Sequence, residues 1–95
     1  MSKIYEFEAV IRPVLDKGGA YIIFPYDIRE EFGKGRVKVT ATFDGYSYQG
    51  FIVNMGVKDE VGNVCYIIGV QKAIRATIGK QAGDRVQVTI QERME

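Results

Sequence analysis

The chain has 95 residues, 46% apolar and 26% charged, with 13 basic against 12 acidic side chains and no histidine. That length fits one small domain around one core, and the composition excludes a disordered chain. A formal charge of +1 excludes a global field that would draw in nucleic acid or an anionic membrane.

The first ten residues, MSKIYEFEAV, hold no apolar stretch of signal-peptide length. From Ile4 to Arg12 the pattern alternates, with Tyr5, Phe7, Ala9 and Ile11 on one face and Glu6, Glu8 and Arg12 on the other. That is the period of a half-buried strand. Pro13 removes a ladder donor, and Asp16 to Gly19 (DKGG) reads as a loop before a second strand, AYIIF. In PYDIREEFG, Pro25 suits a first helical turn and Asp27 with Glu30 has capping-box spacing. Ile28 and Phe32 stack at i and i+4, and Gly33 can take the left-handed stop. The spacing predicts a short helix.

RVKVTATF alternates Val37, Val39, Ala41 and Phe43 inward against Arg36, Lys38, Thr40 and Thr42 outward. Asp44-Gly45 then predicts a tight hairpin into YSYQGFIV, because a type I′ turn needs positive φ at both central residues. Gly50, inside that returning strand, predicts a bulge where the sheet bends. VKDEVGN reads as a solvated loop or hairpin tip before a strand VCYIIG, whose Cys65 is the only cysteine. It cannot form an internal disulfide and fits a reducing cytoplasm. This run and AYIIF are the longest apolar stretches, and both are too short to span a bilayer. Val70, Ile74 and Ile78 form the apolar stripe of a second short helix ending at Gly79. RVQVTIQE closes the chain as a sixth strand, with Val86, Val88 and Ile90 inward.

The two helical stretches echo each other. Ile28, Arg29, Phe32 and Gly33 align with Ile74, Arg75, Ile78 and Gly79, and Arg36, Val37 and Val39 follow on Arg85, Val86 and Val88. Neither half buries its apolar face alone. The expectation is therefore an all-β, single-domain protein: a small closed six-stranded barrel of two pseudo-repeated halves with two short helices, closure removing its exposed edges.

VQKAIRATIG followed by GDRVQV resembles the helix-turn-strand unit of AbrB-type swapped-hairpin barrels, over about a third of the chain. Across nearly the whole length, Pro25, Val37, Val39, Asp44, Gly45, Gly50, Lys72, Arg75, Gly79, Gly83, Asp84, Val86 and Val88 resemble the small bacterial β-barrel family known as domain of unknown function 1905. Gly69 and Val70 depart from it where a proline is common. The resemblance implies a closed barrel of the cradle-loop type and carries no mechanism with it.

No acidic side chain stands between Glu60 and Asp84, whereas Lys72, Arg75 and Lys80 cluster around the second helix. A two-fold arrangement of the halves would set Arg29 opposite Arg75, two guanidinium forks suited to a carboxylate or phosphate. The competing structural reading has both arginines covering the barrel and pairing with Asp27, Glu31 or Asp84. Tyr46 and Tyr48, beside the Asp-Gly turn, offer rings to a partner or simply pack. Without histidine there is no imidazole base and no histidine metal site, and Glu30-Glu31 and Asp59-Glu60 read as solvated neighbours. The sequence thus points to a binding or interaction module rather than a standalone enzyme, with Arg29, Lys72 and Arg75 as candidate ligand-binding residues. The partner is a small anionic ligand or a protein, with no cofactor and no metal. Monomer and homodimer both stay open. The alternative, an AbrB-like DNA-binding dimer, requires steeply salt-dependent duplex binding lost on Lys72→Ala and Arg75→Ala.

Overall fold

The computed structural model describes residues 3–14 and 18–93, so Asp16 and Lys17 of the expected DKGG loop lie outside the described residues. Seven strands and two helices follow in the order β1 (Ile4–Val10), β2 (Arg12–Pro13), β3 (Ala20–Phe24), α1 (Ile28–Phe32), β4 (Val37–Phe43), β5 (Tyr46–Lys58), β6 (Val64–Gly69), α2 (Lys72–Ile78) and β7 (Arg85–Glu92). All ladders are antiparallel, and the strands form one sheet in the order β1-β7-β4-β5-β6-β3-β2.

This corrects the expected closed six-stranded barrel, for the sheet curls into a half-barrel of seven strands. Ile11 extends the β1–β7 pairing by one residue, its N–H donating to Asp84 O at 2.9 Å and its carbonyl accepting from Gly83 N at 2.8 Å, and the next two residues then pair with β3 instead. The strand expected from Ile4 to Arg12 therefore splits. β1 pairs with β7 and the two residues of β2 pair with β3, each at an edge.

The alternation read from the sequence sets the core. Val37, Val39, Ala41 and Phe43 are fully buried, as are Val88 and Ile90 across the β4–β7 ladder and Ile22 and Ile68 across β3–β6. Asp44 (φ 50°) and Gly45 (φ 87°) both take positive φ, as the hairpin requires. Asp44 also accepts from Gln87 N at 2.8 Å and pairs with Lys80 at 2.8 Å. The Lys80 ammonium first, and the Gln87 N–H after it, hold that carboxyl below its usual range. Asp27 caps α1 by accepting from Arg29 N at 2.8 Å, and each helix ends on a left-handed glycine, Gly33 and Gly79, both at φ 70°.

Gly50 is not a bulge, since it pairs in register with Val39. A Cβ there would stand 2.5 Å from the ring of Tyr48, which lies over the glycine. The register shift comes later, between Asn54 and Lys58, where Asn54 Oδ1 accepts from Gly56 N and Gly56 takes φ 81°. No helix among the described residues is long and apolar enough to cross a membrane.

At one end of the core Phe24 touches the rings of Tyr5, Phe7, Tyr26 and Phe32 at centroid distances of 5.4–6.1 Å. The Tyr5 hydroxyl donates to Glu31 Oε1 at 2.8 Å, joining β1 to α1. Burial first, then the Glu31 carboxylate, push the phenol from 10.0 up to about 12. A raised folded value means this contribution is complete below pH 10.0 and disappears as pH climbs through about 12. Melting curves of wild type should therefore fall more steeply than those of Tyr5→Phe across that window. Parallel curves would remove the Tyr5–Glu31 link from the account.

Candidate anion-binding site

The three residues expected to form a groove do not share one place. β3 and β6 are antiparallel neighbours, so α1 and α2, which follow them, leave from opposite ends of the pair. Arg29 rides on α1 and its guanidinium folds back over Gly35. Lys72 and Arg75 share α2. Arg75 is tied down, Nε donating to Val70 O and Nη2 to Gly18 O, each at 3.1 Å, which fastens the helix to the loop before β3. Lys80 is engaged by Asp44 and by the carbonyl of Arg85. Lys72 and Arg29 are the two of this group that are exposed with no side-chain partner among the described residues. Neither arginine makes the expected pairs with Asp27, Glu31 or Asp84. Gln71 Nε2 donates to the Tyr48 hydroxyl at 3.1 Å, and Tyr48 packs against Phe43, so Tyr48 serves the core. Tyr46 remains 41% exposed.

A second basic constellation lies on the outer face of β4 and β5. The Asp44-Gly45 turn fixes the register that sets Lys38 opposite Phe51. Arg36, just before β4, brings its guanidinium carbon to 4.1 Å from the Phe51 ring centroid, and Arg93, just after β7, brings its own to 5.8 Å. Arg93 is positioned by its backbone N–H, which donates to Lys38 O at 2.8 Å. Its Nη1 and Nη2 reach Gln49 Oε1 and Gly50 O at 3.3 and 3.4 Å, near the limit of a hydrogen bond.

Arg93 Nε is buried and finds no acceptor among the described residues. An unsatisfied buried donor costs about 1–3 kcal/mol, more when charged, so the arrangement carries a penalty. Neither Arg36 nor Arg93 has a carboxylate partner among the described residues; nearby Glu92 is taken by Lys34 at 2.7 Å. Two guanidinium groups stacked near one ring, with no carboxylate partner among the described residues, suit a phosphate or carboxylate, which each fork can hold through paired N–H donors. No group of three or more His, Cys, Asp or Glu side chains gathers as a metal site among the described residues.

Nothing local in the sequence marks this cluster, because Arg36 and Arg93 lie 57 positions apart. The hairpin turn was sufficient to pair Lys38 with Phe51. Adding Arg93 requires the β4–β7 ladder, which no local signal specifies.

Fold and cluster together define a small antiparallel β half-barrel with a cationic, aromatic-centred outer face. The chain belongs to the family described as Domain of unknown function (DUF1905), whose model matches residues 7–90. That match bears out the family resemblance read from Pro25 to Val88 and lends nothing to the AbrB-type likeness. No curated protein matches the chain.

Proposed function

We propose that this chain is a binding module, not a standalone enzyme, that recognises a phosphate or carboxylate group of a small ligand or partner through Arg36 and Arg93 beside Phe51. The observation that carries this reading is the buried, acceptorless Nε of Arg93 next to a second arginine without a carboxylate partner. A small shift of the guanidinium that let a bound acceptor reach this donor would relieve its penalty. The half-buried free thiol of Cys65 suits a reducing, cytoplasmic setting.

The two β–α–β halves fit a duplication. An offset of 46 residues, Arg29 to Arg75, places Ile22 on Ile68, and these two pair with each other. The offset of 49 from Arg36 to Arg85 places Ala41 on Ile90, and these pair too. An antiparallel strand meets its own copy where a two-fold axis crosses the ladder. On this reading the Arg36 position corresponds to Arg85, which instead pairs with Glu8 at 3.1 Å, so one half keeps an unpaired arginine and the other does not.

Inorganic phosphate should raise the melting temperature of wild type in proportion to the logarithm of its concentration, as a ligand of the native state does. Arg36→Ala and Arg93→Ala should abolish that rise, while Lys72→Ala and Arg75→Ala retain it. The reverse pattern would return the site to α2, and steeply salt-dependent duplex binding lost with Lys72 would favour the DNA-binding alternative.

A further inference from the structure

The outer face of the sheet's other half is apolar where a solvated face should be polar. Ile23 on β3, Ile67 on β6 and Val53 on β5 stand in one row across the ladders. Beyond Asn54 the β5–β6 ladder shifts register, Gly56 takes positive φ, and the hairpin runs on to its tip, mostly exposed, as an arm. Met55, Val61 and Val64 on this arm are 69%, 81% and 42% exposed. Between arm and sheet lie clefts of about 530, 380 and 360 Å³. The first shares Ile23, Asp59 and Cys65 with the second, and Tyr21 and Val57 with the third, so the three form one trough.

Charge decides what fits it. Arg12 and Lys58 line the central cleft together with Asp59 and Glu60, giving equal numbers of each sign. The Asp59 carboxylate is held by the N–H groups of Val61 and Asn63 within its own turn. Arg12, Lys58 and Glu60 have no partner among the described residues. A ligand or partner of one sign gains from one pair and is opposed by the other. A two-fold copy of the same surface would offer Glu60 of each chain to Arg12 and Lys58 of its mate, and apolar arm to apolar trough, the self-complementarity an isologous interface requires.

From this we infer that the trough and arm form a homodimer interface, independent of the anion site on β4, β5 and β7. Sedimentation of the full chain over a roughly hundredfold concentration range tests it. Wild type should pass from monomer to dimer. Val61→Asp, at an exposed tip that folding does not use, should weaken the dimer roughly tenfold or more. Glu60→Lys alone and Arg12→Glu/Lys58→Glu alone should each weaken it similarly by opposing like charges, and mixing those two variants should restore a heterodimer. A chain monomeric at every concentration overturns the inference. So does a dimer indifferent to Val61→Asp and to the charge exchange, because that dimer uses another face.

Discussion

Replacing Phe24 by alanine should bring the domain close to unfolding, with a loss of about 3–5 kcal/mol, the range for truncating a buried aromatic. Phe24 is only 2% exposed. Its ring is the hub of the cluster formed by Tyr5, Phe7, Tyr26 and Phe32, which joins β1, β3 and α1. Removing it opens a void that three elements line, and α1, held by Ile28, Phe32 and its cap, cannot close it without leaving the sheet. Domains of this size have about 5–15 kcal/mol in total, so a large share of stability goes at once. Urea denaturation should show the midpoint falling in proportion. Tyr26→Ala, at a ring 46% exposed, should cost well under half as much. A Phe24→Ala loss below about 1 kcal/mol, an ordinary surface value, would mean that the cluster does not anchor α1.

Gly50→Ala should be destabilising by about 1–3 kcal/mol, the usual cost of overpacking a filled core. Its sign is informative, because alanine in a strand is ordinarily better than glycine by about 0.5–1 kcal/mol. The new Cβ would meet Tyr48 Cε2 at 2.5 Å and Cζ at 3.1 Å. The ring cannot yield freely, since it packs on Phe43 and its hydroxyl accepts from Gln71 just before α2. In a Tyr48→Ala background the same substitution should become neutral or stabilising. A double-mutant cycle by chemical denaturation measures this coupling. Equal costs in both backgrounds would show that the glycine is required for some reason other than the ring.

Much of the fold was legible where one local signal sufficed. The inward alternation of Val37 to Phe43, the Asp44-Gly45 turn and the glycine stops at Gly33 and Gly79 are each decided within a few residues by sterics or burial. Closure was not. It depends on which strands the first run pairs with, β7 before Ile11 and β3 after it, and those partners lie far along the chain, invisible to periodicity. Gly50 is ambiguous for a related reason: a glycine inside a strand signals a bulge or a close approach, and only the rotamer of Tyr48 chooses between them.

The candidate site divides in the same way. Clustering along the sequence singled out Lys72, Arg75 and Lys80, yet charges that cluster in sequence find partners there too, and Arg75 and Lys80 are occupied by Val70, Gly18 and Asp44. Arg36 carried no signal beyond facing outward. Its meaning comes from Phe51 across one ladder and Arg93 across another.

The most direct test of that assignment is an amide and arginine Nε–H nuclear magnetic resonance titration of the labelled chain with inorganic phosphate. Saturable shifts at Arg36, Lys38, Phe51 and the Arg93 Nε–H, with Lys72 and Arg75 unmoved, are the result expected. Shifts confined to α2, or an Arg93 Nε–H that stays still at saturating phosphate, would contradict it.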